Sequence, residues 1–199
     1  MASVKLYVEG EGDKTASTRC RKGVRQFLEK VGLTGKMPGI IACGSRNDAY
    51  RSFCIALEQN VDELPLLLVD GEARVAPNSE PWHHLHQQDH WPKPQEATNE
   101  QVHLMAQCME TWLVADVDTL ANYFGQGFNR DKLPGHPDLE TAPKADILRG
   151  LKEATRHTNK RSYGKGRDSF VLLGQINPDI VKSRCSYARR LIQFLLRTS

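Results

Sequence analysis

The chain has 199 residues, of which 39% are hydrophobic and 26% charged, and its formal net charge is +3. This length accommodates one domain with a sizeable core and excludes two full domains, while the composition is that of a globular protein. The small net charge indicates no class of partner by itself. The apolar run at the amino terminus is too short for a signal peptide or a membrane span. We therefore predict a single domain over residues 1–199, located in the cytoplasm and without membrane contact.

The amino-terminal part predicts alternating strands and helices. Val4 to Val8 alternates apolar and polar residues, which indicates a short strand that ends at Glu-Gly, and helical spacing follows from Thr15 to Val31. Ile40 to Cys43 predicts a second strand and Asp48 to Gln59 a second amphipathic helix. The continuous apolar run from Leu64 to Val69 is typical of a central strand in a parallel sheet that is covered on both faces.

The carboxyl-terminal part is predicted to be helical from about residue 100 to residue 199. Residues 76–99 lack periodicity and are rich in Pro, His and Trp, so we expect an irregular surface excursion there. Helices are predicted over residues 100–123, 144–154 and 179–196, with the basic linker HTNKRSYGKGRDS before the last one. The predicted fold class is α/β, an open and mostly parallel sheet flanked by helices, with additional helices at the carboxyl end.

Three acidic residues follow predicted strands. Glu9 ends the first strand, and Asp70 and Glu72 come directly after the buried third strand. Open α/β sheets place their ligand sites at these strand ends, and Mg²⁺ or Mn²⁺ requires several oxygen ligands. Each residue alone is also compatible with a turn or a solvated strand end. Together they predict a metal site that could hold an ion against a phosphate.

Two further acids are candidates for the same site. Asp13 lies in the turn after Glu9, where it would either supply an oxygen to the metal or interact with the helix dipole. Glu110 is flanked by Met109, Trp112 and Leu113 on a predicted helix. A carboxylate is costly to bury without a partner, which favours a metal or an arginine beside it, although a surface position on an amphipathic helix is equally compatible.

Basic residues supply candidates for phosphate contact. The basic linker contains Arg161, Lys165 and Arg167, interleaved with Tyr163 and glycine, and this pattern is typical of a flexible segment that follows a nucleic-acid backbone. We predict Lys165 as the group that stabilises developing charge on the phosphate. Arg46, in the GSRND segment, is a further predicted contact. The alternative for the linker is a solvated basic loop.

The histidines at positions 83, 84, 86 and 90 suggest a second metal site, but their crowding does not match zinc ligand spacing. We therefore predict a surface loop for them. The sequence contains neither a Walker phosphate loop nor a Gly-x-Ser-x-Gly elbow, so ATP hydrolysis and acyl transfer are not expected.

The segments LYVEGEGD, LLLVDGE and QCMETWLVAD, together with GSRND, WPKP and SYGKGRDS, resemble a Toprim-like family of bacterial proteins. That family is related to the nuclease domain of the overcoming-lysogenization-defect group. The resemblance covers nearly the whole chain and implies a parallel Toprim sheet with one glutamate at Glu9 and an acidic pair at Asp70 and Glu72. The pair here is Asp-x-Glu, whereas the family usually has Asp-x-Asp.

The leading functional hypothesis is metal-dependent hydrolysis of phosphodiester bonds in DNA or RNA, with Glu9 as metal ligand or general base. The resemblance implies an effector of anti-phage defence that is paired with an ABC-type ATPase. Two alternatives remain open at this point. One is a non-catalytic module that docks or regulates the ATPase, and the other is a phosphoesterase acting on a small molecule. The sequence is also compatible with an oligomer.

Overall fold

The computed structural model describes residues 3–10, 13–59 and 62–198. The strands in these ranges are β1 (Ser3–Glu9), β2 (Gly39–Cys43), β3 (Glu63–Asp70) and β4 (Val102–Met105). The α-helices are α1 (Lys14–Val31), α2 (Arg46–Gln59), α3 (Pro81–Asp89), α4 (Met109–Ala115), α5 (Val117–Phe124), α6 (Lys144–Thr155), α7 (Ser169–Leu173), α8 (Pro178–Arg184) and α9 (Ser186–Thr198).

The four strands form one parallel sheet in the order β2-β1-β3-β4. Side chains of β3 alternate between two cores: Leu66 and Leu68 pack on one face, and Leu67 and Val69 pack on the other. Helices α2 and α3 cover the second face, whereas α1 and most of the later helices contribute to the core on the first. The predicted α/β class with an open, parallel, helix-flanked sheet is confirmed, and it is consistent with a Toprim-like sheet.

Helix α1 follows its predicted limits because both ends carry caps. The Asp13 side chain accepts a hydrogen bond from the Ala16 N–H at 2.7 Å, which satisfies one of the free amides of the first turn. Gly32 adopts a left-handed conformation with φ of 99°, which a residue with a side chain rarely adopts, and this ends the helix. The buried residues Val24, Phe27 and Leu28 then face the sheet.

The prediction of one helix over residues 100–123 is wrong. This segment contains a short 3₁₀ turn, the buried strand β4, and then helices α4 and α5, which are separated at Asp116. The apolar residues Leu104, Met105, Cys108 and Trp112 fit helical spacing, but the first two lie on the strand. Pairing with β3 over Val102–Met105 outweighs the local helical pattern because every residue of β4 is buried.

Two other segments also differ from the prediction. Residues 76–99 are not wholly irregular, since they include α3, which begins at Pro81, a residue that is favourable at the first position of a helix. The predicted helix over residues 179–196 is two helices, α8 and α9, which are separated at Cys185. The histidine cluster therefore lies on α3 and at its carboxyl cap, not on a surface loop.

The five cysteines are free thiols, and Cys20, Cys43, Cys108 and Cys185 are buried. Among the described residues, no helix combines the length and the apolar composition that crossing a membrane requires.

A buried histidine on β4 makes the fold sensitive to acid. His103 is 1% exposed, and its ring lies 5.3 Å from that of Phe194. Neither ring nitrogen has a hydrogen-bond partner of normal geometry among the described residues. Burial and the positive charge of Arg190 lower the pKa of His103 to about 3, against a weaker opposing effect of the Glu100 backbone. The unfolded chain therefore takes up a proton near pH 6.5, where the folded protein does not.

We expect the free energy of unfolding to fall by about 1.4 kcal/mol per pH unit as the pH falls from 6.5 towards 3, because His103 binds a proton only in the unfolded chain. Because the neutral ring has no strong polar partner to lose, His103→Phe should remove this loss at little cost near pH 7. Urea unfolding of both proteins at pH 7.0 and 4.5 measures the effect. The wild type should lose about 3 kcal/mol more than the variant between these pH values; equal losses in the two proteins would contradict the prediction.

Candidate functional site

Three carboxylates converge at the carboxyl ends of adjacent parallel strands. Glu9 is the last residue of β1, Asp70 is the last residue of β3, and Glu72 follows two residues later. One oxygen from each residue lies within 4.8 Å of the others. The structure thus brings together the three acids that the sequence analysis predicted as metal ligands.

Backbone and side-chain hydrogen bonds fix the strand end that carries two of these acids. The N–H groups of Gly71 and Glu72 donate to the carbonyls of Met105 and Gln107, both at 2.8 Å. Asp70 Oδ1 accepts from the Met109 N–H at 2.8 Å. Glu72 has a φ of 61°, a left-handed conformation that costs about 1 to 3 kcal/mol for such a residue. The loop after β4 therefore holds this glutamate in a strained conformation beside Asp70.

Three basic side chains face the three carboxylates, and one of them, Lys144, contacts both Glu72 and Asp70. Lys144 Nζ lies 2.7 Å from both oxygens of Glu72 and 3.6 Å from Asp70 Oδ2. Lys165 Nζ lies 3.9 Å from Asp70 Oδ2. The Arg46 guanidinium lies 3.7 Å from Glu9 Oε2. The charges of the cluster are thus largely balanced within the protein.

Burial and mutual repulsion perturb the acids of the cluster. Burial and the negative charges of Glu9 and Glu110 raise the pKa of Asp70 to about 7, although Lys165 and Lys144 oppose the shift. Burial also raises the pKa of Glu9, against the effects of a nearby guanidinium and the Asp70 N–H. Perturbed carboxylates that line a cleft are typical of functional sites.

The cluster opens into a cavity of about 510 Å³. Its polar wall includes Glu9, Asp70 and Lys165, and its apolar wall is formed by Met105, Met109 and Phe170. Burial alone would lower the pKa of Lys165, but the negative charges of Glu110, Asp70 and Glu9 raise it. Lys165, which the sequence analysis predicted to stabilise charge on a phosphate, therefore carries a positive charge beside the carboxylates.

Glu110 lies behind this cluster and is fully buried. Its Oε1 accepts a hydrogen bond from the Tyr163 hydroxyl at 2.9 Å, while its Oε2 has no partner among the described residues. Burial and the charge of Glu110 raise the pKa of Tyr163, so this tyrosine remains a donor. The predicted partner, an arginine or a metal, is in this structure a tyrosine. Glu110 does not belong to the group of Glu9, Asp70 and Glu72.

The other predicted site residues lie outside the cluster. Asp13 is the amino-terminal cap of α1, which favours the helix interpretation over metal binding. Arg161 is exposed on the linker. Arg167 pairs with Asp168 at 2.7 Å and donates to the Ser162 carbonyl at 2.6 Å. Its guanidinium is therefore engaged within the linker.

Arg46 is engaged even more extensively. Its guanidinium pairs with Asp89 at 2.6 Å, donates to the Asp70 carbonyl, and lies 5.1 Å from the centre of the Trp91 ring. These contacts argue against the predicted role in nucleic-acid binding and indicate that Arg46 orders the strand end. His84 acts in a similar way, since its Nε2 is 2.7 Å from the Gly71 carbonyl.

The donor set fits a hard divalent cation. Oxygen ligands around Mg²⁺, Mn²⁺ or Ca²⁺ lie roughly 3 to 5 Å apart, and the three carboxylate oxygens are within 4.8 Å of one another. Glu9, Asp70 and Glu72 would hold the ion. The chemistry of carboxylate ligands favours magnesium, manganese or calcium over zinc or copper.

Sequence reasoning missed two residues at the site. Lys144 is the first residue of α6. Its neighbours in the sequence predict an ordinary solvated lysine, because its partner Glu72 is far away in the chain. Tyr163 stands in the sequence only as an aromatic residue among basic ones. The one local signal for its position is the pair of neighbouring glycines. Glycine allows the backbone to approach the rest of the domain closely, so the pair indicates a segment that packs against it.

Residues 8–196 match the family model described as a domain of unknown function, DUF4276. No curated protein and no solved structure matches the chain. The match includes both strand ends that carry the carboxylates and both lysines that face them. By this match over nearly its whole length, the chain belongs to the DUF4276 family.

Proposed function

We propose that the protein hydrolyses phosphodiester bonds with the help of a divalent metal ion, and that its principal substrate is DNA or RNA. The observation that carries the proposal is the convergence of Glu9, Asp70 and Glu72 beside a cavity that Glu9, Asp70 and Lys165 line. Clustered carboxylates with a neighbouring lysine are the donor set that phosphoryl transfer requires. The resemblance to Toprim-like nucleases points to the same chemistry.

Each residue has a distinct role in this proposal. When bound, a divalent cation would supply electrophilic activation of the phosphate and acidify a water molecule. Glu9, Asp70 and Glu72 would hold the cation, and Glu9 has a second role as the general base. Glu9 Oε2 already accepts a long hydrogen bond from the Asp70 N–H at 3.3 Å, so Oε1 takes the proton of the attacking water. The raised pKa of Glu9 suits this role, because a general base works best when its pKa approaches the working pH.

Two basic segments that meet near the cavity support a nucleic-acid substrate. Arg19 on α1 donates to the Gly166 carbonyl at 3.1 Å, which joins α1 to the linker that carries Lys165. The exposed side of α1 carries Lys14, Arg21, Lys22 and Arg25. A basic surface that leads to a metal site is the electrostatic feature of nucleic-acid enzymes.

A small phosphodiester, such as a cyclic or linear dinucleotide, is the second candidate substrate. The cavity volume of about 510 Å³ is typical of small-molecule pockets. Met105, Met109 and Phe170 form an apolar wall on which a nucleobase could pack. The internal contacts of Arg46 and Arg167 also leave fewer basic groups for a long backbone.

Cleavage assays test the proposal. Plasmid DNA, single-stranded DNA, tRNA and bis(p-nitrophenyl) phosphate are incubated with the protein in Mg²⁺, Mn²⁺ or EDTA. We expect metal-dependent cleavage, lowered by about 100-fold or more in Glu9→Gln because the base is lost. Glu153→Gln, which replaces an exposed glutamate on α6, is the matched control and should retain full activity. Cleavage that persists in EDTA, or that is equal in both variants, would rule out the proposed chemistry.

A further inference from the structure

A lysine occupies the face of Glu72 that a metal ion would need. Lys144 Nζ lies at equal distances of 2.7 Å from Glu72 Oε1 and Oε2, so one ammonium group contacts both oxygens. The same ammonium lies 3.6 Å from Asp70 Oδ2. A cation bound by Asp70 and Glu72 would use these same oxygens. The ammonium and a divalent cation therefore compete for one position.

The backbone holds this lysine beside the cluster. The Lys144 N–H donates to the Gln107 side-chain oxygen at 3.2 Å, and the Glu72 N–H donates to the Gln107 carbonyl at 2.8 Å. One residue thus ties α6 to the loop that carries Glu72. The lysine stem is long and flexible, so its ammonium can leave Glu72 while its backbone remains in place.

The balance of charge determines what must accompany the metal. Three basic side chains, those of Arg46, Lys144 and Lys165, lie within 4.0 Å of the three carboxylates and offset much of their negative charge. A divalent cation that enters alone therefore creates an excess of positive charge at a partly buried site, which is unfavourable. A phosphodiester group removes that excess because it is an anion. Metal and phosphate should each favour the binding of the other.

We propose that Lys144 holds Glu72 in the metal-free protein, leaves it when a divalent cation binds, and then contacts the substrate phosphate. Lys144 thereby couples metal binding to phosphate binding. This inference rests on the proposed function, because it concerns the same carboxylates. Lys144 acts as a positioning residue for the phosphate, and its ion pair with Glu72 keeps the site closed to metal in the absence of substrate.

Calorimetry with Mn²⁺, with and without dimethyl phosphate as the probe, tests the coupling. In the wild type, dimethyl phosphate should tighten Mn²⁺ binding about fivefold or more, in the usual range of coupling between sites. Lys144→Met should bind Mn²⁺ about tenfold more tightly than the wild type without the probe, and the probe should add less than twofold. Thermal unfolding supplies a second readout: Mn²⁺ alone should raise the Tm of the variant more than that of the wild type.

Two control variants separate competition from simple charge repulsion. Lys165→Met removes a lysine that also lies near Asp70 but does not contact Glu72. It should tighten Mn²⁺ binding much less than Lys144→Met does. The double variant Lys144→Met/Glu72→Gln should lose the tightening, since the carboxylate for which the ammonium and the metal compete is gone. Equal effects of the two lysine variants, or tightening that survives in the double variant, would overturn the inference.

The outcomes for coupling and for catalysis are distinguishable. If the wild type binds Mn²⁺ with the expected coupling but cleaves no phosphodiester, the proposed function fails and the role of Lys144 in binding stands. If cleavage occurs and Lys144→Met binds Mn²⁺ as the wild type does, the role of Lys144 fails and the proposed function stands. Lys144→Gln, which keeps a polar side chain, repeats the test should the methionine variant not fold.

Discussion

Replacing Asp70 with asparagine is expected to lower the rate of hydrolysis by about 1,000-fold or more while leaving the protein at least as stable as the wild type. Asparagine keeps an oxygen that can accept the hydrogen bond from the Met109 N–H, so the backbone contact at the strand end is preserved. Its amide nitrogen cannot bind a cation. The variant therefore removes a metal ligand from the centre of the cluster without disturbing the surrounding structure.

The stability of Asp70→Asn follows from the pKa of the wild-type residue. Burial and the nearby carboxylates raise the pKa of Asp70 to about 7, whereas the unfolded chain loses this proton near pH 4. Between these values only the folded protein keeps the proton, so ionisation of Asp70 lowers the free energy of unfolding as the pH rises from 4 to 7. Asparagine does not ionise, so the free energy of unfolding of the variant should not fall for this reason as the pH rises.

Steady-state kinetics, Mn²⁺ calorimetry and thermal unfolding at pH 8 measure the three consequences of Asp70→Asn together. Activity and Mn²⁺ binding should both be lost, and the Tm should equal or exceed that of the wild type. Asp118→Asn, which replaces an aspartate on α5 in an exposed ion pair with Arg130, is the matched control; it should leave activity and Mn²⁺ binding unchanged and lower the Tm only slightly. An active Asp70→Asn protein, or one whose Tm falls clearly below that of the wild type, would show that the site has been misread.

Replacing Lys165 with methionine is expected to lower kcat by about 100-fold or more and to leave metal binding within a few-fold of the wild type. The ammonium group lies at the cavity wall, 3.9 Å from Asp70 Oδ2, and its side chain is 42% exposed, so it can reach a bound phosphate. Lysine contributes here by stabilising charge that develops on the phosphate oxygens. Methionine preserves the apolar stem and removes only this charge.

Kinetics at saturating Mg²⁺ separate the role of Lys165 from that of an ordinary binding residue. The variant should have a much lower kcat and a smaller change in KM, because the interaction of Lys165 with the phosphate strengthens in the transition state. Lys165→Arg keeps the charge and should recover part of the activity. A loss confined to KM would instead indicate ground-state binding, and an unchanged kcat would remove Lys165 from the mechanism.

The acidic cluster was predictable because strand ends carry strong local signals. The run LPLLLV strongly indicates a buried strand, and parallel strands place their carboxyl ends at one edge of the sheet. Glu9 and Asp70 follow from this rule alone. The strand β4 was not predictable in the same way, since VHLM is too short to show alternation and its neighbours continue a helical pattern.

The partners of the charged residues were beyond sequence reasoning. In the sequence, Arg46 precedes the helix predicted over residues 48–59 and Lys144 begins an amphipathic one, so both resemble ordinary surface residues. Their roles arise from contacts with Asp89 and Glu72, which lie 43 and 72 residues away in the chain. Long-range ion pairs leave no periodic trace, so the arginines that appeared available for nucleic acid included two that are engaged within the protein.

The division of the site along the chain has a consequence for protein synthesis. The three carboxylates lie within the first 72 residues, whereas Lys144, Lys165 and the Met109 amide that fixes Asp70 come later. A nascent chain that has just left the ribosome with β3 therefore carries the three acids without the two lysines that face them and without the loop that anchors Asp70. It cannot align a phosphate. Under the proposed function, hydrolysis begins only when the linker and its lysine have been translated and folded back, so incomplete chains released during translation would cleave no phosphodiester.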